Sequence, residues 1–145
     1  MAAHHYVGAG RPSEAFARAA KNPRALEASL RSLVEGCGLQ VVAHHTARFD
    51  AGGLTAVWIL AESHLVAHFW SAEGILTLDL HVCDVRRSNR ERAEALVAEL
   101  SRHCFTSSAP PKWTEMHLDH GLEPVPTADG PPLRSVSGGS KGTSA

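Results

Sequence analysis

Apolar residues recur along this chain with two different periods, and the switch between them divides it into elements. From Asn22 to Gly36 the aliphatic residues Leu26, Leu30, Leu33 and Val34 fall at i, i+4, i+7 and i+8, which is one stripe of an amphipathic helix. Asn22-Pro23 suits its start, since asparagine caps well and proline brings a fixed φ and no N–H to satisfy; Gly36 and Gly38 supply a left-handed stop. A shorter helical region begins near Ser13. The helical period returns in Ala93, Leu96, Val97 and Leu100, after Ser88-Asn89-Arg90-Glu91, a capping-box sequence.

Between these helices the period is two. Leu39 to Phe49, Leu54 to Ala61, Leu65 to Trp70 and Ile75 to Cys83 are short, free of proline and rich in β-branched or aromatic residues. They are separated by Asp50-Ala51-Gly52-Gly53, by the polar triplet Glu62-Ser63-His64, and by Ser71 to Gly74, so an antiparallel meander of four strands is expected. In the last strand Leu76, Leu78, Leu80 and Val82 point one way and Thr77, Asp79, His81 and Cys83 the other. Ala2 to Val7 reads as an opening edge strand, ended by Gly8, Gly10 and Pro12, and Lys112 to Leu118 as a final extended piece. The order strand, helix, four strands, helix, strand predicts an α+β fold: a two-layer sandwich with helices on one face of a mostly antiparallel sheet. A second copy is the natural cover for the other face, so a homodimer formed through or beside the sheet is expected. Residues 1–118 read as one domain. Residues 119–145, rich in proline, glycine and serine, read as a tail that buries too little apolar surface to offset its ordering entropy.

Composition narrows the partners. The 145 residues are 43% hydrophobic and 20% charged with a formal net charge of -1, enough for a real core but without a basic field to gather nucleic acid or anionic lipid. No apolar run approaches the roughly 18 to 20 residues of a membrane helix, and Met1 to His5 lacks a signal-peptide pattern, so a cytoplasmic location is expected. Cys37, Cys83 and Cys104 are odd in number and widely spaced, which argues for free thiols.

Ten histidines invite a metal reading, but His64 and His68 would stand roughly 13 Å apart on a strand, too far to share an ion, and no metal is expected. His4, His5, His103, His117 and His120 read as surface residues. A hydrolase built on Ser63, His68 and Asp79 lacks the Gly-x-Ser-x-Gly elbow, and Gly8-Ala9-Gly10 lacks the third glycine and lysine of a phosphate cradle. Alone, Cys83 on a buried strand reads as an inert small hydrophobe.

Together, Arg48-Phe49, Gly53-Leu54-Thr55, Glu62-Ser63-His64-Leu65-x-x-His68, the Trp70-to-Gly74 turn and Asp79-Leu80-x-x-Cys83 resemble the pyruvoyl-dependent S-adenosylmethionine decarboxylases of bacteria and archaea over roughly Gln40 to Leu100. The resemblance implies a chain that cuts itself between Glu62 and Ser63. Ser63 Oγ would attack the Glu62 carbonyl, and β-elimination from the resulting ester would leave residue 63 as a pyruvoyl group. His68 matches the processing proton acceptor, Thr55 stands where a serine assists processing, and Cys83 matches the residue that returns a proton to the substrate α-carbon. The pyruvoyl carbonyl would form a Schiff base with the substrate amine and draw off electrons as carbon dioxide leaves, with no metal and no pyridoxal phosphate. The implied product is decarboxylated S-adenosylmethionine, the aminopropyl donor for spermidine in polyamine biosynthesis, made by a homodimer of cleaved protomers.

The substrate pocket departs from the family. Phe49 matches the aromatic residue that stacks on adenine, but Asp50 replaces a commonly apolar neighbour, and Ser71-Ala72 follow Trp70 where Pro-Glu is usual. Glu73 comes one position late, an offset that on a strand or hairpin turns a side chain to the opposite face. A carboxylate lost from the sugar site and one gained beside the stacking ring favour a cationic side chain, so L-arginine or L-ornithine is the alternative substrate.

Overall fold

The computed structural model describes residues 2–117, so the tail from 119 to 145 lies outside the described residues. The elements are β1 (Ala3–Gly10), α1 (Glu14–Ala19), α2 (Pro23–Gly36), β2 (Val41–Arg48), β3 (Leu54–Leu60), β4 (Ser63–Trp70), β5 (Ile75–Cys83), α3 (Arg90–Cys104) and β6 (Lys112–Met116). Six strands form one antiparallel sheet in the order β2-β3-β4-β5-β1-β6, with the helices on one face, as the two periods predict.

The core lies between helices and sheet. Leu26, Leu30 and Val34 of α2 and Ala93, Leu96 and Leu100 of α3 are buried, as are Ala56, Trp58, Leu65, Ala67, Leu76, Leu78, Leu80 and Val82 from the sheet. Each large aliphatic side chain so placed contributes about 1.5–3 kcal/mol, which fixes the face of every strand, because a one-residue slip would exchange core for solvent. The opposite face carries Thr55, Val57 and Ile59 of β3, His64, Val66 and His68 of β4, Thr77, Asp79, His81 and Cys83 of β5, and His5 and Val7 of β1.

Four local expectations are corrected. β1 is not an edge strand: it pairs with β5 from Ala3↔Cys83 to Gly10↔Leu76 and with β6 on its other side. Its glycine is a packing residue, since a Cβ on Gly8 would sit 2.7 Å from the Trp113 ring, whose Nε1 donates to Ser101 Oγ of α3 at 2.8 Å. The capping box does not form. Asn89 makes no side-chain cap; instead Asp84 Oδ1 accepts from the Asn89 backbone N–H at 2.8 Å, and Asn89 Nδ2 donates to the Cys83 carbonyl at 2.9 Å. α2 runs through Gly36, and Gly38 alone of the two glycines takes positive φ, 81°. The cap at Asn22 does form, with its Oδ1 accepting from the N–H groups of Arg24 and Ala25. Finally, the bend between β3 and β4 is Ala61-Glu62, and Ser63 and His64 already belong to β4.

Candidate active site

Ser63 opens β4 in a conformation few serines adopt, with φ of 152°. That region is largely the province of glycine and costs a side-chain-bearing residue about 1–3 kcal/mol, so the surrounding hydrogen bonds must hold it. The carbonyl of Glu62, one side of the Glu62–Ser63 peptide, accepts from the Cys83 backbone N–H at 2.8 Å. A donor so placed polarises the carbonyl and would hold a negative charge developing on its oxygen. Ser63 Oγ shares hydrogen bonds with His81 Nδ1 at 2.9 Å and His64 Nδ1 at 3.3 Å. A nucleophile, a polarised carbonyl and two imidazoles thus meet at one peptide bond.

Behind them lies a cluster of titratable groups. His5 Nε2 and Asp79 Oδ1 are 2.8 Å apart, and His64 Nε2 is 3.5 Å from the same oxygen. The His81 ring lies 5.0 Å from that of His5 and 5.4 Å from that of His64. Burial, then the neighbouring His5 and His64, push the His81 pKa below its ordinary 6.5, against a smaller pull from Asp79. Burial first, and Asp84 second, push the Cys83 thiol up, so it stays protonated at neutral pH. His4, expected at the surface, is buried against Asp84 at 2.8 Å, and His5 is likewise drawn into the cluster.

His68 is not part of this group. It sits five residues further along β4, roughly 16 Å from Ser63 at the rise of a strand, so within one protomer it is not the base beside the serine. It pairs instead with Thr55 of β3, whose Oγ1 lies 2.9 Å from His68 Nδ1. Thr55 and His68 border a cavity of about 240 Å³ whose other lining residues include Phe49, Trp70, Ser71 and Glu73. Glu73 therefore lines the same cavity as Phe49 despite its offset, because Ser71 to Gly74 is a turn in which strand alternation does not apply. Asp50 is exposed and not among the residues lining that cavity.

The predicted residues thus fall into two groups at opposite ends of the open sheet face: Glu62, Ser63 and Cys83 at one, Phe49, Thr55, His68 and Glu73 at the other. Sequence reading missed His81 as the serine's neighbour. The signal was present: a four-residue turn that pairs Trp70 with Ile75 sets His64 opposite His81 and Ser63 opposite Val82. Of the other two thiols, Cys37 packs at the edge of the core and Cys104 within it, where burial pushes the Cys104 pKa up to about 12 and leaves it chemically inert.

The two-layer α+β fold thus carries a strained serine, a polarised carbonyl and a half-buried thiol together at one strand end. The solved structure of the adenosylmethionine decarboxylase from Aquifex aeolicus has this fold, with a TM-score of 0.61 and 18% identity over 85% of this chain and 97% of that one. The family model described as S-adenosylmethionine decarboxylase matches residues 13–109, and the chain belongs to that family. Among curated relatives, the S-adenosylmethionine decarboxylase proenzyme of Methanococcus aeolicus is 32% identical over 66 residues, 46% of this chain and 56% of that protein. The proenzyme of the same name from Aquifex aeolicus is 36% identical over 58 residues, 37% of this chain and 43% of that one. The matched stretches span about half the length of these relatives.

Proposed function

We propose that this chain is a self-processing decarboxylase acting on S-adenosylmethionine, with Ser63 the precursor of its pyruvoyl group. The observation that carries the reading is the Glu62–Ser63 peptide: a strained serine whose Oγ faces imidazoles, next to a carbonyl held by the Cys83 N–H. Addition of Oγ to that carbonyl and departure of the Ser63 nitrogen convert the amide to an ester. Loss of the Ser63 α-proton expels the Glu62 carboxylate, and hydration with loss of ammonia leaves the α-keto group. These residues fit that group, which supplies an electrophilic carbonyl able to take up electrons as carbon dioxide leaves. The protonated Cys83 thiol then returns a proton to the substrate carbon.

His68 takes part from a second protomer in this reading. Ser63 reaches the open face at one end of β4 through its Oγ contacts with His81 and His64, and His68 stands on that face at the other end; a two-fold axis lying between two facing sheets and perpendicular to the strands would set one end against the other. The open face also carries Ile59 and Ile75, both large and exposed, which a second copy would cover. The Phe49 cavity would then receive the nucleoside, with Glu73 taking the role of the carboxylate that reads the sugar. Of the two features that favour L-arginine or L-ornithine, Ser71-Ala72 line that cavity and Asp50 does not.

Denaturing mass spectrometry of purified protein tests the reading. Two fragments divided between Glu62 and Ser63 are expected, the second blocked at its N-terminus by pyruvoyl. Ser63→Ala should give one intact chain, and Cys83→Ala should still cut but release little carbon dioxide from S-adenosylmethionine. A wild-type chain that remains whole would refute it.

A further inference from the structure

Resting on that self-cleavage, we infer that His81 is the general base of its first step, taking the proton from Ser63 Oγ as the oxygen adds to the Glu62 carbonyl. His68, at the far end of β4, serves only the later elimination.

Geometry separates His81 from the other imidazoles. Its Nδ1 is 2.9 Å from Ser63 Oγ, whereas that of His64 is 3.3 Å away. A base must reach the proton it removes, and only the former is within ordinary O–H···N range. Asp79 engages the other two instead, pairing with His5 Nε2 at 2.8 Å and His64 Nε2 at 3.5 Å. His81 makes no ion pair with Asp79 and faces His5 from β1, His64 from β4 and Asp79 and Cys83 along β5. Burial and the two neighbouring histidines hold it neutral at physiological pH.

The step balances without a further reactant. Oγ–H gives its proton to Nδ1 as the Oγ–C bond forms, and the Glu62 oxygen, now negative, keeps the Cys83 N–H as donor. As the C–N bond breaks, the imidazolium returns the same proton to the departing Ser63 nitrogen, leaving an ester, an amine and a neutral His81.

The ester can be read separately from its elimination, because hydroxylamine cuts esters and leaves ordinary amides intact. In a His68→Asn chain, which forms the ester but cannot complete elimination, hydroxylamine should cut between Glu62 and Ser63. At concentrations where cutting no longer accelerates, the rate reports ester formation alone. Adding His81→Phe, which keeps a ring without nitrogen, should slow that rate about 10²-fold or more, the usual contribution of a general base. His81→Gln, which keeps a hydrogen bond but holds no proton, should be equally slow, and its thermal midpoint shows that the fold survives. The His68→Asn rate should also fall as pH drops through the His81 titration, and this dependence should vanish in both double variants. Equal rates with and without His81 would overturn the assignment. A wild-type chain that stays whole, together with a His68→Asn chain untouched by hydroxylamine, would overturn self-cleavage itself and His81's role with it.

Discussion

The backbone of Ser63 can be tested for stored strain by comparing two chains that cannot cut, Ser63→Ala and Ser63→Gly. Both lose the hydroxyl and its hydrogen bonds to His81 and His64, so they differ chiefly in what φ of 152° costs them. Alanine bears the strain, about 1–3 kcal/mol, whereas glycine occupies the region freely. Against this, glycine gives up about 0.5–1 kcal/mol more conformational entropy on folding. The net expectation is that Ser63→Gly is the more stable, by up to about 2.5 kcal/mol. For a folded unit spanning residues 2–117, that is up to about 10 °C in thermal midpoint. Thermal and urea melts of the two intact chains at one protein concentration measure it, and a lower midpoint for the glycine variant would refute stored strain. The same 1–3 kcal/mol, if released as Oγ adds to the carbonyl, would accelerate that step about 5- to 150-fold.

Asn89→Ala removes the donor to the Cys83 carbonyl but keeps the backbone bond to Asp84, and no cap is lost because the side chain makes none. A drop of about 1–3 kcal/mol in urea unfolding is expected, with carbon dioxide release impaired more than cutting, since the thiol's strand end is freed. The Asn89 N–H chiefly, opposed by partial burial and helped by His4, holds the Asp84 carboxyl below its ordinary 3.8. A depressed carboxyl stabilises the fold fully above that ordinary value and loses its contribution as pH falls through the lower folded value. Below pH 4 the wild type should therefore lose stability more steeply than Asp84→Asn in acid melts. Co-expression of Ser63→Ala with His68→Ala chains should restore cutting of the His68→Ala chain, because mixed dimers rebuild one complete site. Mass spectrometry of an uncut mixture would exclude a site shared between protomers.

Local periodicity made most of the fold legible. α2 and α3 bury the residues their spacing selects, and the Gly52-Gly53 and Gly74 turns place the hairpins, because these signals depend on neighbours a few residues apart. β1 was misplaced at an edge because its partners, β5 and β6, are about 70 and 110 residues away and short strands carry no mark of what pairs with them. The capping box failed for a related reason: Asp84, from the loop before α3, satisfies the Asn89 N–H that begins the helix. The site divides in the same way. Ser63, Cys83, Thr55 and His68 stand in recognisable strings, but that His68 is a strand's length from Ser63 while His81 touches it depends on register.

The interior position of β1 bears on what happens after a cut between Glu62 and Ser63. The first fragment would hold β1, β2 and β3, and the second β4, β5 and β6. In the sheet order β2-β3-β4-β5-β1-β6 the pieces interleave, with β1 of the first lodged between two strands of the second. The break falls at a hairpin tip, at the very end of the β3–β4 ladder, so the rest of that ladder stays intact. Before it, the chain folds as one molecule; after it, refolding needs two pieces to find each other and becomes dependent on concentration. Elimination also consumes the serine, so the bond cannot be remade. Such a protein has one unimolecular folding event in its lifetime, and its persistence afterwards rests on how slowly its interleaved strands part.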